Sequence, residues 1–182
     1  GYYKQGNGWR MIKNGIEFLL FGSGRVNSTG VEAGAFVNPM NSEDLSYIQA
    51  FFVPSIYMNS DTIGVIKEDY GMSITTVMTK PKSRGYVKLK SSNHRDAPEI
   101  ELNLLKHNDD LKMMMAGQRF FINAFQQGPL SKKVKKIIIP NIENLTDENL
   151  ENHCRRFVRT NYHPSGTAKM GADNDKMAVL DS

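Results

Sequence analysis

Four short strand-like runs follow one another through the first half of the chain, and three of them are rich in β-branched and aromatic residues. They lie at residues 31–37, 47–53, 72–79 and 85–90. Such residues favour strands because they fit a pleated, half-buried surface. The runs are joined by turns rather than by the helical crossovers that parallel strands need. The sequence therefore predicts a mostly antiparallel sheet, and the alternation of apolar and basic residues in the last run indicates one solvated face.

Helical periodicity appears on both sides of this strand-rich region. The first predicted helix carries an apolar stripe made of Trp9, Ile12, Ile16 and Leu19, and it ends at Gly22 and Gly24. A second helix is predicted over 109–127, with Met and Phe at core positions, ended by Gly128-Pro129. A third is predicted from an N-cap at Thr146 to about Arg159. Helices flanking an antiparallel sheet predict an α+β fold.

The composition is that of a globular domain. The chain has 182 residues, of which 40% are hydrophobic and 23% charged, enough for one sizeable core. No apolar run approaches the roughly 20 residues needed to cross a bilayer, so no transmembrane segment is expected. The net charge is +4, but basic residues are scattered apart from a lysine run at 132–136, interpreted as a solvated loop. Without a reading element or stacking platform, nucleic-acid binding is not expected.

Two other site chemistries lack their sequence signatures. The histidines have no ligand spacing relative to one another or to Cys154, which argues against a metal site. A serine hydrolase would need Gly-x-Ser-x-Gly at a strand-to-helix turn, whereas Ser165 follows Pro164 in a loop. A lone cysteine also cannot form an internal disulfide.

The segment 161–171 contains the most informative histidine. Pro164 excludes helical geometry at His163, so the third helix must stop before it. Gly166 and Gly171 permit tight turns close to another surface. An imidazole at such a bend can exchange a proton near neutral pH, which suits a general base for a hydroxyl. The residues alone favour a structural histidine over this catalytic one.

A family resemblance changes that balance. His163-Pro-Ser-Gly-Thr-Ala-Lys-Met-Gly171 resembles the pattern His-Pro-x-Gly-Thr-Cys-x-Met-Gly of the glucose-methanol-choline (GMC) flavin oxidoreductases, especially their insect glucose-dehydrogenase-like branch. Ala168 replaces the usual cysteine, a small-for-small change. Further segments are similar to the family in order and spacing, at 22–36, 48–54, 83–91, 98–103, 109–111, 117–119 and 177–181.

The resemblance implies a domain assignment. Residues 1–160 would be a partial GMC substrate-binding domain, and 161–182 the truncated start of the C-terminal segment that carries the histidine motif. The family binds FAD through an early Gly-x-Gly-x-x-Gly. Gly22-Ser-Gly24 follows a helix and has Asn27 at the third-glycine position, so it does not qualify. We therefore expect the FAD-binding domain to be largely absent, and the chain alone to be inactive.

The resemblance also implies a reaction. His163 would remove the hydroxyl proton of an alcohol, sugar or steroid while hydride passes to the flavin of FAD, as in glucose dehydrogenase-like or ecdysone oxidase-like enzymes. Oxygen or a quinone would then accept the electrons. Gly166 and Thr167 are the candidate cofactor contacts. Asn161 and Tyr162 are candidate substrate contacts, with packing as the alternative role.

Two further expectations follow from the resemblance. One alternative stays open: the protein could be a non-catalytic relative, truncated or a pseudo-enzyme, that acts as a binding protein. The resemblance also implies a secreted protein. Two glycosylation-type triplets, which begin at Asn27 and Asn144, give this location weak support.

Overall fold

The computed structural model describes residues 2–57 and 69–181, so Gly1 and Ser182, at the outer ends of the two predicted domain ranges, lie outside the described residues. The helices are α1 (Gly8–Phe21), α2 (Asn108–Gln126), α3 (Gly128–Ser131) and α4 (Asp147–Phe157), with a 3-10 turn at Arg25–Asn27. The strands are β1 (Ala33–Val37), β2 (Ile48–Val53), β3 (Ser73–Met78), β4 (Tyr86–Lys88) and β5 (Glu99–Glu101). Strands β1, β2 and β3 form one antiparallel sheet in that order, and β4 and β5 form a separate hairpin. The predicted α+β fold with antiparallel sheets is confirmed.

The core lies between the three-stranded sheet and α2. Ile48 on the central strand is fully buried, and Ala50 two residues further faces the same side. Helix α2 approaches this face at Gly117, where an added Cβ would lie 3.2 Å from Cγ1 of Ile48. The absence of a side chain at Gly117 therefore allows α2 to pack closely against the central strand.

Helix α2 begins as its sequence predicts. The Nδ1 atom of His107 accepts a hydrogen bond from the backbone N–H of Asp109 at 3.2 Å, and two aspartates occupy the first turn. Its buried face consists of Asp110, Leu111, Met114, Gly117, Phe121 and Ile122. Met113 and Met115 pack against this core from its edge. The prediction that methionines of this helix belong to the core is confirmed.

Helix α4 packs against α2 and adds to the same core. Thr146 Oγ1 accepts the backbone N–H of Asn149 at 3.1 Å, which confirms the predicted N-cap. Leu150 is fully buried and Cys154 nearly so. The helix ends at Phe157, two residues before the predicted limit, because Val158 is already extended.

The hairpin of β4 and β5 was only half predicted. The run at 85–90 is a strand across Tyr86–Lys88 alone, and both strands are exposed on both faces rather than on one. Its partner β5 is only three residues long, and the sequence did not predict it as a strand. An added Cβ at Gly85 would lie 1.9 Å from the carbonyl oxygen of Glu101, so only glycine fits just before β4, where the chain passes the end of β5.

Helix α1 forms as predicted, but its apolar stripe does not enter the core. All the residues of the stripe are exposed, and the buried residue of the helix is Asn14. The helix ends at Gly22, whose φ of 59° is left-handed. Within residues 2–57 and 69–181, no helix is long and apolar enough to cross a membrane.

Candidate functional site

The loop that follows α4 brings His163 to the surface. Val158 leaves the helix in an extended conformation, and Tyr162 then adopts a left-handed φ of 59°. The backbone N–H of Tyr162 donates to Thr160 Oγ1 at 3.1 Å and fixes this bend. His163 follows directly and is exposed.

The return of this loop depends on a close approach at Gly171. The backbone N–H of Gly171 donates to the carbonyl of Leu180 at 3.1 Å, and that of Val179 donates to the carbonyl of Lys169 at 3.0 Å. An added Cβ at Gly171 would lie 2.9 Å from the Cβ of Ala178. The two arms therefore come together only because residue 171 has no side chain.

Asp175 stabilises the same return and was not predicted as a site residue. Its carboxylate forms an ion pair with Lys169 and accepts the backbone N–H of Met177 at 2.9 Å. The hydrogen bond from Lys169, followed by that from Met177, lowers the pKa of Asp175. The only sequence signal was an opposite charge six residues away. That spacing has no meaning until the loop geometry is known.

The predicted site residues all lie in the exposed part of this loop, outside any helix or strand. They are Asn161, Tyr162, His163, Gly166 and Thr167. Tyr162 is 84% exposed. Gly166 has a left-handed φ of 96° and no atom within 4 Å of the position of a Cβ. The backbone at Gly166 is therefore open to a flat ligand, and the side chain of His163 is not locked into the core.

Two cavities lie elsewhere on the surface. One, of about 430 Å³, lies on α4 and is lined by residues that include Asn152, His153 and Arg156. The other, of about 560 Å³, lies between Tyr2 and Arg25. Neither is lined by residues 161–167, so neither completes a pocket around His163.

The half-buried His153, which lines the first of these cavities, has a structural explanation. Burial lowers the pKa of His153, so its imidazole is neutral near pH 7, and its ring lies 4.9 Å from that of Phe157. In the part of the chain that the structure describes, no group of three His, Cys, Asp or Glu residues could hold a metal ion.

Comparison with protein families identifies the class to which this fold and loop belong. A family model described as GMC oxidoreductase matches residues 81–182, which is more than half of the chain and includes the whole His163 loop up to its last residue. The chain therefore belongs to the GMC oxidoreductase family. The assignment to its insect glucose-dehydrogenase-like branch stays a prediction, as do the domain limits at 1–160 and 161–182.

Curated relatives extend the similarity to nearly the whole chain. The oxygen-dependent choline dehydrogenase of Brucella canis is 31% identical over 179 residues, covering 98% of this chain and 32% of the relative. The enzyme of the same name from Escherichia coli O45:K1 is 32% identical over 174 residues, covering 96% of this chain and 30% of the relative. The chain thus spans about a third of the length of these relatives.

Solved structures share the fold. Pyridoxine 4-oxidase from Mesorbium loti superposes with a TM-score of 0.71 at 19% identity, covering 84% of this chain and 30% of that one. An Aspergillus oryzae formate oxidase, studied for FAD modification, superposes with a TM-score of 0.68 at 19% identity, covering 90% and 33%. These matches support the α+β architecture and carry no information about the substrate.

Proposed function

We propose that this chain is the substrate-binding part of a full-length FAD-dependent oxidoreductase that oxidises a CH–OH group. Three observations support the proposal: membership of the GMC family, relatives named as choline dehydrogenases, and the exposed His163. The exposure of His163 carries it, because a histidine buried in the core could not reach an alcohol.

We assign the proton transfer to His163. Histidine is the side chain best suited to exchange a proton near neutral pH, so its imidazole can accept the hydroxyl proton of the substrate. When FAD is bound, it supplies the acceptor for the hydride that leaves the same carbon. Asn161 and Tyr162 flank the imidazole, and we assign them to orienting the alcohol.

The residues present fit one edge of a flavin site. The open backbone at Gly166, with space where a Cβ would be, allows a planar ring system to approach, and Thr167 follows it. The sequence contains no Gly-x-Gly-x-x-Gly for the pyrophosphate. We therefore assign Gly166 and Thr167 to the flavin end of the cofactor, and most FAD contacts to other parts of the full-length protein.

The donor and the acceptor complete the proposal. We propose an alcohol, a sugar or a steroid hydroxyl as the donor, in a glucose dehydrogenase-like or ecdysone oxidase-like enzyme, with oxygen or a quinone as the acceptor. The test is steady-state turnover of the full-length enzyme with choline, glucose, a simple alcohol and an ecdysteroid, each with oxygen or a soluble quinone. A secreted protein should also lose mass on endoglycosidase treatment, since Asn27 and Asn144 are both exposed.

The decisive variant is His163→Ala in the full-length enzyme. Loss of a general base lowers turnover by about 10²–10⁴-fold, while the flavin absorbance should persist. His94→Ala, at an exposed histidine far along the chain, is the matched control and should turn over normally. Near-normal turnover of His163→Ala would remove His163 from the mechanism. A full-length protein that binds a ligand but never reduces flavin would instead be the non-catalytic binding relative.

A further inference from the structure

Helix α1 presents a continuous apolar stripe to solvent. The exposed fractions are 72% for Trp9, 49% for Ile12, 47% for Ile16 and 82% for Leu19, and the neighbouring Leu20, which extends the stripe to five side chains, is 68% exposed. Among the described helices, strands and 3-10 turn, α1 packs only against the turn at Arg25–Asn27, from its C-terminal end. The stripe is therefore uncovered along the whole helix, about 20 Å at 1.5 Å per residue.

The polar side of α1 is the one that faces the protein. The side-chain amide of Asn14, which is buried, donates to the backbone carbonyl of Gln5 at 3.0 Å. The carboxylate of Glu17 lies against Gly24, where an added Cβ would be 2.7 Å from Glu17 Cδ. An amphipathic helix normally turns its apolar side inward. This helix is held the other way round, so its stripe is positioned for another surface.

We propose that the stripe packs against the remainder of the full-length polypeptide, the roughly two thirds of the relatives' length that this chain does not span. The inference rests on the proposed function only in taking the protein to be longer than this chain. The stripe contains no charged residue, as is typical of the centre of a buried interface.

Two other kinds of partner agree less well with the structure of α1. A helix that lies on a membrane carries a polar face rich in Lys and Arg, whereas α1 has only Arg10 and Lys13, and Arg10 is engaged by the hydroxyl of Tyr70 at 3.0 Å. A stable dimer buries about 800 Å² per partner, more than five side chains of one helix provide. A partner in the same chain is tethered, so a smaller contact suffices.

The test is hydroxyl-radical footprinting of the purified full-length protein, read at Trp9, Leu19 and Leu20. The reference is a synthetic peptide of residues 6–24. We expect oxidation several-fold slower in the protein than in the peptide, at every protein concentration and without lipid. Oxidation as fast as in the peptide would overturn the proposal. So would protection that appears only at high protein concentration or only with anionic vesicles, and so would a natural polypeptide no longer than this chain.

A substitution supplies a second readout. Leu19→Asp should lower the melting temperature of the full-length protein, and the matched exposed leucine variant Leu89→Asp should lower it less. Equal effects of the two would count against the packing. Neither experiment measures turnover. An inactive protein with a protected stripe would therefore contradict the proposed function but not this inference. An active protein with an accessible stripe would contradict this inference but not the proposed function.

Discussion

The carboxylate of Asp110 accepts the backbone N–H of Ser83 at 2.7 Å and that of Lys82 at 2.9 Å. Asp110 lies in the first turn of α2 and is only 3% exposed. These two bonds connect the segment that leads into β4 with the helix that supports the three-stranded sheet. The Asp110 carboxylate can be buried because the two backbone N–H groups satisfy its oxygens with hydrogen bonds.

Replacing Asp110 with Asn should therefore destabilise the protein. The new NH₂ group would face donors rather than acceptors and leave a buried amide unpaired, which costs about 1–3 kcal/mol. Asp109→Asn is the control, because the carboxylate of Asp109 is exposed and pairs with the flexible Lys82 side chain and the nearby His107. The free energy of unfolding in urea should fall much more for the first variant. Equal losses would show that the two amide bonds contribute little.

Asp110 should also contribute to acid sensitivity. Burial raises its pKa, but the hydrogen bonds from Lys82 and Ser83 outweigh burial and hold the pKa below its usual 3.8. A carboxyl group with a lowered folded-state pKa stabilises the fold above its unfolded pKa, and this stability is lost as pH falls through the folded value. Unfolding free energy measured from pH 6 downward should drop below about pH 4. Asp110→Asn should show a shallower drop, and an unchanged slope would contradict this assignment.

Two glycines should respond in opposite ways to alanine. At Gly117 the new methyl group would meet Ile48, which is fully buried and cannot move aside, at 3.2 Å. Overpacking costs about 1–3 kcal/mol and outweighs the gain in helix propensity. At Gly15 in α1 nothing lies within 4 Å, so alanine should stabilise this chain by up to about 1 kcal/mol. The melting temperatures of the two variants test this prediction. A Gly117→Ala variant that melts at a higher temperature would show that the core beside Ile48 can accommodate a methyl group.

The helices were predictable because their signals are local. A 3.6-residue apolar repeat and an N-cap such as Thr146 are each defined by residues a few positions apart in the sequence. Periodicity could not tell that the stripe of α1 is uncovered, since it gives the apolar side of a helix and not its partner. Strand β5 was missed because three residues are too few to show a period, and its pairing depends on the approach at Gly85.

The site was predictable in position but not in construction. Pro164 placed His163 in a loop beyond the last helix, and it does lie there. The pairing of Lys169 with Asp175 could not be inferred, because it exists only once the chain folds back at Gly171. Composition also could not show what faces His163. The two surface cavities are lined by other residues, and neither includes the loop 161–167.

The thiol of Cys154 should be unreactive in the folded protein. Burial raises the pKa of its thiol to about 11. At pH 7 such a thiol is about 0.01% thiolate, the form that reacts. Maleimide labelling, read by peptide mapping, should leave Cys154 unmodified in native protein and modify it fully in urea. Rapid native labelling would show that α4 opens readily.

The last prediction concerns Gly171, and it tests whether the loop return positions His163. In Gly171→Ala the new Cβ would lie 2.9 Å from Ala178 and 3.1 Å from the Asp175 carboxylate, so the two arms must separate. A displacement of about 1 Å at a reacting group can cost about 10²-fold in rate. In the full-length enzyme, kcat should therefore fall by about 10–10²-fold with the flavin retained and a smaller change in KM. Asp173→Ala, exposed in the same loop, should keep kcat unchanged. If Gly171→Ala keeps its kcat while His163→Ala loses it, His163 is catalytic but is positioned by something other than this return. A fall in both variants would show that the close approach at Gly171 is what holds the imidazole in place.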